Sequence, residues 1–277
     1  MESKYRDRTG YLRELEQFGI ISKAERLLRD AGYYVSNDGS GKIRCELHMA
    51  WDYPWHHVAH LEEMDCHLWH RIMFDIMGLL PTKCLACFKV VVKPRTLRQL
   101  FSLLDLQLSL GLPSKCGTED RPEVFGNYGG YFYNRGLDAG LVCYRTVRDA
   151  LKEDPDLKSL LDDRDVNGVP TRVILKRGCT EFERRFGRSD QWGKPSDDQV
   201  VLEHRIEESF YRDYPKVLQS RDVVEHIHEG WIRFAWDRGD ETAKDYNGGF
   251  PLHPPYVTYH HLEEGVIGMV REGKVIY

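Results

Sequence analysis

The chain has 277 residues, of which 41% are hydrophobic and 30% are charged, and its formal net charge at pH 7 is −5. This composition is typical of a globular protein that buries a core without disulfides, and the negative charge gives no general attraction for nucleic acids. No apolar run approaches the ~20 residues of a membrane-spanning helix, and no secretory signal is visible. The sequence therefore predicts a soluble cytoplasmic protein that does not bind membranes.

The first third of the chain is predicted to contain helices and one hairpin. Residues 9–31 have the apolar spacing of two helical stretches. Two strands, Tyr33–Val35 and Ile43–Met49, flank a turn that contains Asp38-Gly39, which is a strong hairpin signal. A long helix is predicted from Trp55 to Gly78, because Pro54 suits its first turn and Gly78 its end.

The remainder alternates helices and strands irregularly. In chain order we expect a strand (88–92), a helix (95–110), a glycine- and aromatic-rich loop (116–134), a helix (137–151), a strand (169–175), three helices (180–186, 198–211 and 222–236) and a closing hairpin (266–277). There is no regular βαβ rhythm, so the expected fold class is α+β, with mixed helices, short strands and hairpins.

A polar stretch, Arg188 to Gln199, is the expected domain boundary because it contains Gly193 and Pro195. The prediction is a main α+β domain over residues 1–187 and a smaller helical subdomain over residues 199–277 that ends in the hairpin.

The most informative motif is Cys84-Leu85-Ala86-Cys87. Two cysteines at this spacing can bind one metal ion or exchange as thiol and disulfide, and the odd total of seven irregularly spaced cysteines argues against a disulfide framework. Cys45 and His48 form a second short pair that would complete a four-ligand zinc site. Such a site would staple the first hairpin to the segment that enters the strand at Phe88.

Cys116 and Cys179 provide a different completion, since each has a glycine neighbour that permits a tight turn. With Cys84 and Cys87 they would form an all-thiolate set that suits zinc or an iron–sulfur cluster. Cys179 also opens a predicted helix, which makes it the best candidate for a reactive thiol. Cys66 and Cys143 fall inside predicted helices and are expected to be ordinary thiols. Two other interpretations of Cys84 and Cys87 remain open, namely that the pair is structurally incidental or that it is redox-active.

Histidines recur along the predicted helix that begins at Trp55. At 100° per residue, the following side chains share an arc of about 80°: His56, His60, Glu63, His67 and His70. His60, Glu63 and His67 have the one-turn spacing of metal or acid–base groups in helix bundles and are the candidate catalytic residues. The alternative is a solvent-facing stripe without a ligand.

The aromatic loop supplies the candidate ligand-binding residues, which are Arg121, Tyr128, Tyr131 and Tyr133. Its glycines permit close approach of a ligand and its rings offer stacking faces, although aromatic side chains in such a loop often fill the core instead. The glycines lack the spacing of a dinucleotide fingerprint.

Together these features predict a soluble intracellular metalloprotein, with zinc as the favoured metal, that acts on or binds a small polar or nucleotide-like ligand. Three alternatives stay open: an iron–sulfur enzyme, a nucleic-acid-binding module built on the N-terminal helices and hairpin, and a partner-binding protein without catalysis. The sequence does not decide whether the protein is an enzyme.

Overall fold

The structure is a computed structural model that describes residues 33–35, 43–45, 53–59, 66–209, 219–248, 270–271 and 274–275. Nine strands are named within these ranges: β1 (Tyr33–Val35), β2 (Ile43–Cys45), β3 (Trp55–Ala59), β4 (Cys87–Val92), β5 (Ser114–Thr118), β6 (Tyr128–Arg135), β7 (Val173–Arg177), β8 (Val270–Arg271) and β9 (Lys274–Val275). The strands β1 and β2 form one antiparallel pair, and β8 and β9 form another.

Seven α-helices lie in the same ranges: α1 (Cys66–Trp69), α2 (Thr82–Leu85), α3 (Leu97–Leu110), α4 (Leu137–Glu153), α5 (Thr180–Phe186), α6 (Asp197–Ser209) and α7 (Arg221–Asp237). The first continues as a π-helix over His70–Ile76. Short 3₁₀ turns occupy Lys158–Leu161, Ser189–Gln191 and Glu241–Asp245. None of the helices in the described ranges has both the length and the apolar composition needed to cross a membrane.

Five strands form one antiparallel sheet in the order β3-β5-β6-β4-β7. Strand β4 carries the sequence CFKVVV, whose β-branched residues suit a pleated surface between two neighbours. Val90 pairs with Phe132 of β6 on one side and with Leu175 of β7 on the other.

One face of this sheet packs against helices α3, α4 and α7. Leucines recur along α3 at helical spacing, and the helix begins at Thr96, whose side chain accepts a hydrogen bond from Gln99 N, and ends at Gly111, which has φ +61°. The buried core that joins these elements includes Val90, Val92, Leu97, Leu100, Leu103, Phe132, Val147, Val173, Ile227 and Trp231. The last two belong to α7, so this helix shares the core of the sheet.

The opposite face carries the side chains that alternate with this core. Because successive residues of a strand point to opposite faces, Cys87 and Lys89 project away from α3. The register places Tyr133 across from Lys89 on the same face. A smaller cluster of Leu80, Phe182 and Trp192 lies beside them, with Cys84 and Cys179 packed against it.

The prediction of an α+β fold and of an N-terminal hairpin is confirmed, while the predicted helix over residues 55–78 is wrong in its first part. Trp55–Ala59 forms an edge strand paired with β5, with a register shift between His57 and Ala59. Pairing with a distant strand overrides the local helical spacing. The five histidine-arc residues therefore do not share one helix.

The predicted loop over residues 116–134 is also wrong in part, because most of β5 and β6 falls within it. The glycines that indicated a loop serve packing instead. A Cβ at Gly130 would lie 2.4 Å from Leu103 Cδ2, so the close approach of α3 requires glycine inside the strand. The helices predicted over residues 9–31 lie outside the described residues, and the predicted domain boundary at residues 188–199 covers the 3₁₀ turn at Ser189–Gln191 and the first residues of α6.

Candidate functional site

A buried lysine and a cysteine meet where β4 and β7 lie side by side. Lys89 is only 8% exposed, and its Nζ donates a hydrogen bond to Cys179 Sγ at 3.1 Å. Cys179 directly precedes α5, in the position of its N-cap. Cys87 lies two residues before Lys89 on the same face of β4, so the strand brings its thiol toward the same place.

Two hydrogen bonds to backbone carbonyls join the turn that contains Cys84 and Cys87 to the turn that precedes Cys179. Gly178 N donates to Cys87 O at 2.8 Å, and Arg177 Nε donates to Leu85 O at 2.7 Å. The two turns are therefore held together by the end of the β4/β7 pairing. This explains how cysteines that are distant in sequence become neighbours.

Gly178 is required by the geometry of this junction. Its φ is +63°, and a Cβ there would lie 2.6 Å from Cζ3 of the Trp192 ring and 3.8 Å from Cys84 O. A side chain would be strained in this conformation and would collide with the indole.

A buried carboxylate fixes the segment that leads into Cys84. Thr82 N donates to Glu203 Oε1 at 2.9 Å, and Gln199 Nε2 donates to the same oxygen at 2.8 Å and to Leu80 O at 2.7 Å. Glu203 and Gln199 both belong to α6 and are buried. Helix α6 therefore anchors α2 and, with it, the position of Cys84.

Cys66, at the start of α1, is the fourth member of the group. The residue is exposed overall, but burial of its thiol, with contributions from Cys179 and Cys87, raises its pKa to about 12. Burial raises the pKa of Cys84 well above its ordinary value, and Cys179, Cys66 and Cys87 add to this effect. Cys84 and Cys179 pack against one apolar cluster, and Cys87 is joined to the residue before Cys179 by the hydrogen bond from Gly178 N. We call these three thiols, with Cys66 as the fourth member that acts on Cys84 electrostatically, the cysteine site.

Burial also raises the pKa of Cys87 to about 11, although Lys89 acts in the opposite direction. In the metal-free protein the thiols of Cys66, Cys84 and Cys87 are consequently protonated at neutral pH. They are poor nucleophiles in that form, because the thiolate is the reactive species. A bound cation would favour deprotonation of these thiols.

Polar side chains extend from the cysteine site along the same face of the sheet. Tyr131 Oη donates to Glu119 Oε2 at 2.8 Å, and Arg121 bridges Glu119 (2.6 Å) to Glu181 (2.5 Å). Within the part of the chain that the structure describes, Glu181 Oε2 is buried without a hydrogen-bond partner. Tyr133 completes this wall, since Lys89 Nζ lies 5.8 Å from the centroid of its ring.

Three of the four predicted ligand-binding residues, Arg121, Tyr131 and Tyr133, thus lie on the face that carries the cysteine site. Tyr128 does not, because it projects into the core and donates a hydrogen bond to Asp240 Oδ2 at 2.7 Å.

The predicted metal ligands are distributed differently. The cysteine site contains Cys84, Cys87 and Cys179, whereas Cys116 is buried in the core on the opposite face of the sheet. Cys45 belongs to β2, for which only the backbone is described, and His48 lies outside the described residues.

The side chains of the predicted catalytic residues are not described. His60 and Glu63 lie outside the described residues, and His67 belongs to α1 with its side chain not described. His56 lies on β3, where its Nδ1 is 3.0 Å from Nε2 of His228 on α7. Burial, together with His228 and His57, lowers the pKa of His56 to about 4.

Sequence reasoning missed two members of the site, Cys66 and Lys89. A signal for Lys89 was present, because a single lysine inside the strand CFKVVV alternates with Cys87 and shares its face. Cys66 had no comparable signal, since its partners lie far along the chain.

The described side chains do not form a closed site for a single metal ion. Over residues 53–59, 66–209 and 219–248, no three or more His, Cys, Asp or Glu side chains converge closely enough to hold one.

No protein-family model matches this chain, and neither a curated protein nor a solved structure is recognisably similar to it. Fold and site together define an α+β protein with a group of thiols beside a buried lysine, and its function is inferred from the chemistry of that site.

Proposed function

We propose that the protein is a metalloprotein in which Cys66, Cys84, Cys87 and Cys179 ligate an iron–sulfur cluster. The observation that carries this proposal is the meeting of Cys84, Cys87 and Cys179, from two separate parts of the chain, beside the buried ammonium of Lys89. The electrostatic influence of Cys66 on Cys84 relates a third part of the chain to the same region. A bound cluster would supply one-electron transfer.

The charge of Lys89 supports an anionic centre. An ammonium group is costly to bury unless a negative charge compensates it. The hydrogen-bond acceptor that the described residues provide for Lys89 is the sulfur of Cys179. Four thiolates around a metal centre would carry the negative charge that this environment requires.

The described thiols do not converge on one point, which argues against a single zinc ion. With Zn–S bonds of about 2.3 Å, tetrahedral geometry requires sulfurs about 3.8 Å apart, and the described side chains do not converge on a single ion. An iron–sulfur cluster is larger and holds its cysteines further apart. One Cys-x-x-Cys pair with two distant cysteines also resembles the ligand spacing of some clusters more than the paired knuckles of zinc sites.

Zinc is the second candidate, and the turn from Cys84 to Cys87 favours it. Backbone hydrogen bonds fix this turn from both sides, from Gly178 to Cys87 O and from Gly136 to Ala86 O. A rigid turn of this kind can direct two thiolates at one ion.

The ligand of the protein is proposed to bind at the polar wall beside the cysteine site. Lys89, Arg121 and Tyr133 offer charge and ring faces to a small polar or nucleotide-like molecule. Nucleic-acid binding and partner binding without catalysis stay predictions from the sequence.

The proposal is tested by measuring iron, acid-labile sulfide and zinc in tag-free protein purified without oxygen or chelators. We expect about four iron and four sulfide per chain and a brown colour. Replacement of a ligand in Cys179→Ala should abolish iron binding and the visible absorbance. Cys116→Ala is the matched control, because Cys116 is a buried cysteine of the same sheet on its other face, and it should retain iron.

Zinc at about one ion per chain, without iron, would favour the second candidate. Wild-type protein without either metal, or iron that survives in Cys179→Ala, would contradict the proposal.

A further inference from the structure

We infer that Lys93, Arg172 and Phe125 form a binding site for a nucleoside monophosphate, in which the two cations hold the phosphate and the exposed ring stacks on the base. Lys93 directly follows β4, at the opposite end of this strand from Cys87. The site is therefore separate from the cysteine site and does not depend on a metal there.

Lys93 and Arg172 lie opposite each other where β4 ends and β7 begins. Lys93 N donates to Arg172 O at 2.8 Å, which extends the pairing of β4 and β7 by one residue on each strand. Residues paired in this way carry their side chains on the same face of the sheet, and like charges at such positions destabilise it. An anion bound between the two side chains would relieve this repulsion.

Phe125 is a large apolar side chain in the loop between β5 and β6, and it is 61% exposed. A backbone hydrogen bond from Glu119 N to Asn127 O, at 2.8 Å, closes the base of this loop. Arg172 Cζ lies 4.8 Å from the centroid of the Phe125 ring, and Lys93 Nζ lies 5.5 Å from it. The two cations and the ring therefore form one preformed surface, and most of the ring is open for stacking.

The ion pairs at this surface leave positive charge uncompensated. Asp163 forms ion pairs with both Arg95 and Arg172, so one carboxylate serves two guanidinium groups. In the part of the chain that the structure describes, Lys93 has no carboxylate partner, and its contact with the Phe125 ring brings no net charge. Three cations and one carboxylate leave two positive charges, which match the charge of about −1.5 to −2 on a phosphate monoester.

The environment of Lys93 also favours an anion. Burial, together with the charges of Lys176 and Arg172, lowers the pKa of Lys93, although Glu119 acts in the opposite direction. Glu119 is itself ion-paired with Arg121. A phosphate beside the ammonium would offset the neighbouring cations and stabilise the charged form of Lys93.

Arg172 has hydrogen-bond donors available for a ligand. Its Nε donates to Asp163 Oδ2 at 2.9 Å, which orients the guanidinium, and neither of its Nη atoms has an acceptor among the described residues. A Cβ added at Gly126 would lie 3.6 Å from Nη1, so the guanidinium lies close to the backbone beside Phe125. Arginine binds phosphate through its planar set of donors and lysine acts as a point charge, so the two side chains complement each other.

The test is isothermal titration calorimetry of the purified full chain with adenosine monophosphate, adenosine and inorganic phosphate. Since stacking tolerates any base, one nucleotide is a sufficient probe. Wild type should bind adenosine monophosphate more tightly than either of its parts, because only the nucleotide contacts both the cations and the ring.

Two variants separate the contributions of charge and ring. Lys93→Met should weaken binding of adenosine monophosphate about 10-fold or more, because a charge-assisted contact is lost, and Lys93→Arg should restore most of it. Phe125→Ala should weaken binding of the nucleotide about 10-fold and leave binding of inorganic phosphate unchanged.

Lys115→Met is the matched control. The ammonium of Lys115 also lies over an aromatic ring, 4.7 Å from the centroid of Trp55, but on β5, so this variant should bind the nucleotide like wild type. Cys179→Ala should do so as well, which keeps this inference distinct from the proposed metal centre. Far-ultraviolet circular dichroism establishes that each variant is folded.

Wild type that does not bind adenosine monophosphate would overturn the inference, as would equal affinities of wild type and folded Lys93→Met. An equal loss of affinity in Lys115→Met would show a general effect of charge and would also overturn the site. If inorganic phosphate binds as tightly as the nucleotide and Phe125→Ala has no effect, the assignment to a nucleotide is wrong.

Discussion

The two faces of the central sheet are built from the same strands but differ in what they bury. The face toward α3, α4 and α7 buries aliphatic and aromatic side chains such as Val90 and Phe132. The other face buries a lysine, a glutamate and a tyrosine, which are Lys89, Glu119 and Tyr131. Their charges and hydroxyl are satisfied by Cys179, Arg121 and each other.

The two faces therefore have different roles, because the apolar face stabilises the fold and the polar face is the one suited to chemistry. Apolar burial stabilises a fold without directional demands, whereas buried polar groups cost free energy unless each finds a partner. The polar face therefore adds little net stability and depends on exact partners. Such a face is where the chemistry of a protein is expected.

The largest effect is expected when the apolar face loses volume. Phe132 is fully buried, and Phe132→Ala should lower the free energy of unfolding by about 3–5 kcal/mol because it leaves a cavity. The adjacent Tyr131→Phe removes a hydroxyl on the opposite face and should cost only about 1–2 kcal/mol. Denaturant titration of both proteins measures the difference, and a larger loss for Tyr131→Phe would contradict the distinction between the faces.

An intermediate effect is expected at the junction of the two turns. Gly178→Ala should lower the free energy of unfolding by about 2–3 kcal/mol, since a positive φ is strained for alanine and the new Cβ meets Trp192. If the proposed metal binding is correct, the variant should also retain less metal, because Cys179 is the next residue.

Gly168→Ala is the control for this change. Gly168 has φ +78° with no atom within 4 Å of the added Cβ, so the variant should suffer only the backbone strain, about 1–2 kcal/mol, and keep its metal. Equal metal loss in the two variants, measured by competition with a chelator, would show that the junction has no special role.

The smallest effect is a pH dependence at the apolar face. Because the pKa of His56 is about 4 in the folded protein and its ordinary value is 6.5, the unfolded chain binds the proton first as the pH falls below about 6.5. The free energy of unfolding should therefore decrease as the pH falls from 6.5 to about 4. Above pH 6.5 this residue makes the free energy of unfolding no more pH-dependent. Allowing for its partial exposure, the loss is about 1–2 kcal/mol.

His56→Gln should reduce this slope, as followed by thermal unfolding at several pH values. His228 contributes in the same direction, since burial lowers its pKa also, so part of the slope should persist. His204→Gln, at an exposed position on α6, is the control. A slope identical to that of the wild type in His56→Gln would argue that other groups cause the acid sensitivity.

The sequence determined the features whose signals are local. The bounds of α5 were predicted correctly at residues 180–186, and α3 and α7 were predicted within two residues at each end, because apolar spacing and terminal residues mark them. The importance of Cys84 and Cys87 was visible in their spacing, and the α+β class followed from the irregular order of elements.

Only the tertiary structure decided which residues meet. Trp55–Ala59 and Tyr128–Arg135 became strands because partners elsewhere in the chain pair with them, and local periodicity contains no information about such partners. The antiparallel register of β4 and β7 brought Gly178 and Cys179 beside Cys87 and Lys89. Contacts between residues so far apart in sequence depend on strand pairing and on the packing of whole elements, and for that reason the sequence grouped Cys116 with Cys84, Cys87 and Cys179 although Cys116 lies in the core on the other face of the sheet.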